Sequence, residues 1–225
     1  MNTSGIPSKS GLRAAVRARR TARAEASAPH TSEPPAPHAD QVARLVASCD
    51  PVAVVGYAAL PGEPSLDEAL AALLATGTPV LLPATRKGEP LRLGRVTGSL
   101  DDLSRGTWGI REPAAPRSAP EALAGSIGDV QEASILVLVP GLSYDARGTR
   151  LGNGGGFYDR TFGPQGLFAD DALAPLRARL RFVGVCWDDE RTTALPREEW
   201  DLTVSAILTE TGVHAVTGSA AHREF

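Results

Sequence analysis

Val139-Pro-Gly-Leu-Ser-Tyr-Asp-Ala-Arg-Gly-Thr-Arg-Leu-Gly-Asn-Gly-Gly-Gly-Phe-Tyr-Asp-Arg160 decides how this chain of 225 residues is read. It opens at the end of an apolar run, Ile135 to Val139, closed by Pro140-Gly141. A short β-branched run without polar alternation is the pattern of a strand buried on both faces, the usual state in a parallel sheet. Beyond it, Gly152, Gly154, Gly155 and Gly156 fall within five positions. Residues without Cβ atoms let backbone N–H groups approach a ligand closely and take up positive φ. Phe157-Tyr-Asp-Arg160 reads as the first turn of a helix, where free N–H donors and the positive dipole end favour a phosphate. Strand, glycine loop and helix start together outline a cradle for a nucleotide's phosphates.

The spacing fits neither familiar glycine signature. No lysine follows the glycines, as a P-loop requires, and Asn153-Gly-Gly-Gly156 lacks the dinucleotide spacing. Glycine content alone is as consistent with a flexible surface loop. The flanking charges tip the reading: Arg147 and Arg150 suit phosphate, while Asp145 and Asp159 suit a magnesium ion.

Outward from this segment, helical and apolar stretches alternate. Residues 1–7 read as disordered. Ser8 is placed to cap a helix in which Lys9, Arg13, Arg17 and Arg20 recur on one face; composition alone makes that face a solvated stripe. Residues 26–38 form a low-complexity loop, with His30 and His38 as loop residues and not metal ligands. A helix over 40–48 precedes a buried strand over 52–57, then Leu60-Pro-Gly-Glu-Pro-Ser65 at the strand edge where open α/β sheets bind ligands. There Glu63 reads equally as an exposed turn residue. A helix over 66–75, a strand over 79–83, an added hairpin strand over 91–96 and a helix near 120–127 lead back to the central stretch. After it come helices to about 162 and over 173–179, then strands over 182–186 and 202–208, and residues 212–225 read as a frayed tail. The expected fold is a single α/β domain over 8–211, three layers of α/β/α around a mostly parallel sheet.

Composition narrows the function classes. A net charge of −3 argues against a general nucleic-acid binder. Cys49 and Cys186 cannot form a disulfide framework, which suits a reducing cytoplasm. No apolar run approaches the roughly 20 residues of a membrane span, and no signal-peptide apolar segment follows the first residues. The expectation is a cytoplasmic protein that binds a small molecule, without nucleic acid or membrane as partner.

Pro140-Gly-Leu-Ser-Tyr-Asp145, Gly148-Thr-Arg-Leu-Gly152 and Gly154-Gly-Gly-Phe-Tyr-Asp-Arg160 resemble the signature of the 5-formyltetrahydrofolate cyclo-ligase family, also called methenyltetrahydrofolate synthetase. Thr107-Trp-Gly-Ile-Arg-Glu-Pro113 and Leu195-Pro-Arg-Glu-Glu-Trp-Asp201 resemble two further family segments. The resemblance implies a layered fold similar to sugar-phosphate isomerases and CoA-transferases, and a monomer. It also implies ATP- and magnesium-dependent closure of 5-formyltetrahydrofolate, with or without a polyglutamate tail, to the 5,10-methenyl form. Lys9, Arg13 and Arg150 then become the catalytic cations. With Leu151, Gly152, Asn153, Gly154, Gly155, Gly156, Phe157 and Tyr158 they form the ATP site. Ala58, Glu63, Trp108, Phe157 and Tyr158 would line the substrate pocket, with Glu63 on the pterin, and Asp159 and Asp201 would serve magnesium. Arg17 and Arg20 stay surface or auxiliary charges. Three departures stand out: Phe157 for a frequent Tyr, Trp200 for a common His, and Glu190 for a frequent Gln. Two other readings remain at this point, a folate- or nucleotide-binding protein without catalysis and a sugar-phosphate isomerase or CoA-transferase relative.

Overall fold

The computed structural model describes residues 8–26, 37–127 and 133–217, with backbone only at Thr107. The expected disorder of residues 1–7, the stretch 27–36 with His30, and residues 218–225 lie outside the described residues. In chain order come α1 (Lys9–Ala26), α2 (Ala39–Cys49), β1 (Ala53–Val55), α3 (Asp67–Ala75), β2 (Val80–Ala84) and β3 (Arg92–Arg95). A small hairpin of β4 (Ser104–Arg105) and β5 (Arg111–Glu112) precedes β6 (Arg117–Ser118) and α4 (Ala119–Ile127). Then follow β7 (Ile135–Pro140), β8 (Ser143–Asp145), β9 (Arg150–Leu151), α5 (Phe157–Phe162), α6 (Ala174–Arg177), β10 (Leu180–Val185), β11 (Arg191–Thr192), β12 (Ala206–Thr209) and β13 (Gly212–Ala215).

The main sheet has the order β13-β12-β10-β7-β1-β2-β3-β6. Its five central strands, β12 to β2, run parallel, and β13, β3 and β6 add antiparallel edges. The apolar run at 135–139 explains the layering. Successive side chains of a strand point to opposite faces, and both faces of β7 are covered. Leu136 and Leu138 join Val54 against Leu66, Leu70 and Leu73 around α3, and against Val42 and Leu45 of α2. Ile135, Val137 and Val139 join Val55 against Leu123 of α4, Phe162 of α5 and Phe168. Each such side chain contributes about 1.5–3 kcal/mol on full burial. This is the mixed α/β architecture, with helices on both faces of a mostly parallel sheet, that the sequence predicts.

One pairing decides where a ligand can enter. The chain runs from β1 to β2 on one side, then returns to β7 and continues through β10 to β12 on the other. The order therefore reverses between β1 and β7, and their diverging exit loops leave a crevice at the carboxyl ends of the strands. Beyond β7 the Tyr144 hydroxyl donates to the Val139 carbonyl at 2.6 Å, turning the chain back over the sheet. The Tyr144 ring lies so close to Gly184 that a Cβ there would collide with it.

Three expectations change. Residues 212–215 are not a frayed tail, because β13 covers the open edge of β12. The last parallel strand begins at Ala206, not at 202, since Thr203 bridges to Thr149 instead. His38 lies in the turn before α2 but not on the surface: it is fully buried, its Nε2 donates to the Cys186 carbonyl at 3.1 Å, and its ring meets Trp187 edge-on.

Candidate active site

A cavity of about 840 Å³ occupies the crevice at the ends of β1, β2 and β7. Its walls are the exposed face of α1, the loop after β1, the glycine loop, the β4–β5 hairpin and the turn at 198–201. The residues given catalytic, ATP, substrate or magnesium roles by the resemblance, from Lys9 and Arg13 to Asp159 and Asp201, line this one space, whereas Asp145 and Arg147 do not.

The first helix starts where its cap predicts, the Gly11 N–H donating to the Ser8 hydroxyl at 3.3 Å. Leu12 and Val16 fasten α1 to Leu142, Leu151 and Leu195. That anchoring turns the cationic stripe toward the glycine loop, with Arg17 still exposed. Lys9 Nζ lies 2.8 Å from Asp201 Oδ2. Arg13 Nε donates to the Gly152 carbonyl at 2.9 Å, and Arg17 Nη2 to the Asn153 carbonyl at 2.9 Å.

Arg20 corrects its expected place among the surface charges. It is buried, donating through Nε and Nη2 to the two carboxylate oxygens of Glu190 at 2.8 and 2.7 Å. Nη1 reaches Glu63 Oε1 at 3.1 Å and Nη2 the Gly141 carbonyl at 2.7 Å. Glu190, seen in the sequence only as a departure, is therefore the counter-charge of Arg20. The available signal was the seven-residue step from Arg13 to Arg20, which keeps both on one helix face.

The glycine loop is held from below. Asp145 belongs to its scaffold and not to a metal site. Its Oδ1 accepts from the N–H groups of Arg147 at 3.0 Å and Thr149 at 2.9 Å, and its Oδ2 from Leu195 N–H at 3.0 Å. Burial acts to raise this carboxyl, but those donors and the Arg147 guanidinium prevail and hold it below the usual range. Arg147 is thus drawn to Asp145 on the outer side of the loop. Arg150 is nearly buried: Nη2 donates to Asp159 Oδ1 at 2.8 Å, and the guanidinium sits 5.4 Å over the Tyr158 ring. Asp159 Oδ1 also accepts from Leu202 N–H at 3.1 Å. Gly154 and Gly156 take φ of 99° and 65°, conformations that favour glycine. Phe157 begins α5, which is only six residues long, so the loop N–H groups matter more here than a helix dipole.

Across the cavity, Glu63 is nearly buried and not an exposed turn residue. Its Oε2 accepts from Leu60 N–H at 3.0 Å, and its Oε1 from Asn153 Nδ2 at 3.3 Å as well as from Arg20. Burial pushes its carboxyl above the usual range, against the downward pull of the Leu60 N–H and Arg20. Tyr57 lies beside Ala58, its hydroxyl donating to the Pro64 carbonyl at 2.8 Å. Trp108 stands 74% exposed at the tip of the β4–β5 hairpin, in left-handed backbone with φ 66°. Trp200 is 47% exposed on the rim of the same cavity, beside Asp201. Among the described residues no group of three or more His, Cys, Asp or Glu forms a ready metal cage.

Residues 6–210 match the family model described as the 5-formyltetrahydrofolate cyclo-ligase family. A 5-formyltetrahydrofolate cyclo-ligase from Mycolicibacterium smegmatis is 33% identical over 159 residues, covering 69% of this chain and 72% of the relative. The Escherichia coli K12 protein of the same name is 33% identical over 78 residues, 35% of this chain and 37% of its own. The solution structure of Aquifex aeolicus 5,10-methenyltetrahydrofolate synthetase superposes with a TM-score of 0.62 at 25% identity, covering 96% of this chain and 99% of that one. A synthetase from Mycoplasma pneumoniae shares the fold, with a TM-score of 0.57 at 16% identity over 91% of this chain and 99% of its own.

Proposed function

This chain belongs to the 5-formyltetrahydrofolate cyclo-ligase family, and on that premise we propose that it converts 5-formyltetrahydrofolate to 5,10-methenyltetrahydrofolate while cleaving ATP to ADP and phosphate. The observation that carries this reading is the seating of Arg13 on the Gly152 carbonyl and of Lys9 beside Asp201, in one cavity with the glycine loop and Glu63. At about 840 Å³ the cavity lies toward the upper end of the range of about 300–1,000 Å³ common for small-molecule sites, which suits two substrates side by side.

The difficulty of the reaction is that a formamide oxygen is a poor leaving group. The formyl oxygen attacks the γ-phosphorus of ATP and ADP departs. N10 then adds to the activated formyl carbon and loses its proton to solvent, the C–O bond breaks and phosphate leaves. Such chemistry asks the protein for alignment and for charge placed where phosphate oxygens gather. Arg13 is anchored through Nε, so its terminal nitrogens remain for phosphate. Lys9 is partly exposed beside Asp201 and can exchange that contact for a phosphate oxygen. The Arg150 charge lies beneath the loop and holds Asp159 in place, and the N–H groups of Gly152 to Gly156 face the remaining oxygens. Glu63 and Ala58 form the pterin end, with Trp108, Phe157 and Tyr158 along the folate.

Asp159 and Asp201 line the cavity, and each already accepts from a cation. A magnesium ion would therefore be held mainly by the triphosphate and water, with these carboxylates orienting that water. Bound there, it neutralises charge on the phosphate oxygens. Mixing the protein with Mg-ATP and 5-formyltetrahydrofolate tests the reading directly. The expected result is growth of methenyl absorbance matched by one phosphate released per product; binding of both ligands without either signal overturns it.

A further inference from the structure

The cavity is bordered by a buried charge cluster that the proposed reaction does not use directly. Arg20, Glu190 and Glu63 have side chains only 5%, 0% and 7% exposed. One guanidinium is thus buried between two carboxylates, an arrangement costly enough in desolvation to call for a purpose. Glu190 is saturated: besides its two bonds from Arg20 it accepts from Trp187 N–H at 3.2 Å, and Arg23 Nη1 stands 3.5 Å from it. Glu63 is the partner that lines the cavity, held by Arg20 through one nitrogen alone. Its turn is gripped on both sides. Trp187 Nε1 donates to the Gly62 carbonyl at 3.0 Å, and a Cβ on Gly62 would meet the Arg20 backbone oxygen at 2.6 Å.

We propose that Arg20, clamped by Glu190, is a positioning residue that sets the orientation and charge of the Glu63 carboxylate at the pterin end of the site. The proposal rests on the reading of Glu63 given above. A pterin ring presents adjacent N–H donors, and a carboxylate accepts both only if its plane is fixed. Arg20 fixes one oxygen, Leu60 N–H the other, and Asn153 ties the same carboxylate to the glycine loop. The titratable neighbours that face Glu63 are Arg20 from α1, Tyr57 after β1 and Tyr158 from α5. Burial raises both phenols, so neither titrates in the acid range; there burial pushes the Glu63 carboxyl up, the Leu60 N–H, Arg20 and Asn153 pull it down, and Glu190 acts on it through its hold on Arg20.

The test compares Glu63→Gln, Arg20→Gln and Glu190→Gln in steady-state methenyl formation, with folate and ATP varied separately. Each is expected to raise KM for 5-formyltetrahydrofolate about tenfold or more, the scale of a lost charge-assisted hydrogen bond, while KM for ATP stays within about twofold. The acid limb of kcat/KM for folate separates positioning from a merely structural role. Arg20→Gln removes the cation that favours ionised Glu63, so the limb moves to higher pH. Glu190→Gln leaves the whole Arg20 charge to Glu63, so the limb moves to lower pH. Should Arg20→Gln fail to fold, Glu190→Gln decides. If Glu63→Gln raises the folate KM but Glu190→Gln leaves KM and acid limb at wild-type values, the positioning inference falls and the site reading stands. If Glu63→Gln changes nothing, the pterin assignment itself falls, and the inference with it.

Discussion

At the amino-terminal end of α1, Lys9 and Arg13 lie half-buried at the cavity wall, one against a carboxylate, the other against a backbone carbonyl. Two turns beyond Arg13 on the same face, Arg20 is buried and makes four hydrogen bonds, two of them to one carboxylate. The residue types match; the surroundings do not. A phosphate arriving from solvent can displace a partly solvated contact of Lys9, because both states keep the charges hydrated or paired. It cannot displace Glu190 from Arg20, since that would strand a carboxylate with no water. One helix face thus carries exchangeable charges at its outer end and a fixed one further in. Leu12 and Val16 anchor the helix between Lys9 and Arg20.

The contrast can be broken at several points. Arg20→Met leaves Glu190 and Glu63 buried without their cation, and the expected loss of folding stability is about 3–5 kcal/mol, read from the urea midpoint. A variant as stable as the wild type would show that Arg20 is as exchangeable as its neighbours. Arg13→Ala should do the reverse: kcat/KM falls about 10²–10³-fold, the scale for removing one donor to developing charge, while stability moves by less than about 1 kcal/mol. Retained kcat/KM would remove Arg13 from the phosphate site. The smallest effect is expected at the Lys9–Asp201 pair, whose side chains are 24% and 13% exposed. A double-mutant cycle between Lys9→Gln and Asp201→Asn should give a coupling of about 0–1 kcal/mol that shrinks with added salt. A salt-insensitive coupling of several kcal/mol would make Lys9 a structural residue like Arg20.

Much of this was legible before any coordinates. The apolar run at 135–139 is a local signal, and a strand buried on both faces admits few surroundings other than a helix-covered parallel sheet. The four clustered glycines and the cap at Ser8 are local signals too, and both produced the elements expected of them. What escaped were residues whose meaning depends on a distant partner. Helical periodicity put Arg20 on the face of Arg13, yet Glu190 lies 170 residues away along the chain. Asp145 read as a metal carboxylate because composition shows the charge and not the direction; the hairpin turns it inward onto three N–H groups. Gly212–Ala215 carries little intrinsic strand signal and is ordered by the free edge of β12. Trp200 reads in the sequence only as a departure from a common His, and its place on the rim follows only from the turn at 198–201.

The family resemblance named the cations and carboxylates of the cavity; by itself the amino-acid sequence determined the layered α/β class, the glycine loop after the central strand and the charged stripe on the first helix. These follow from period, backbone freedom and charge, which act over a few residues. Only the tertiary structure decided which charges face the crevice at the β1–β7 reversal and which are locked away from it. Burial and pairing arise between segments far apart in the chain, and the free energy of a charge depends on what surrounds it more than on the residue that bears it.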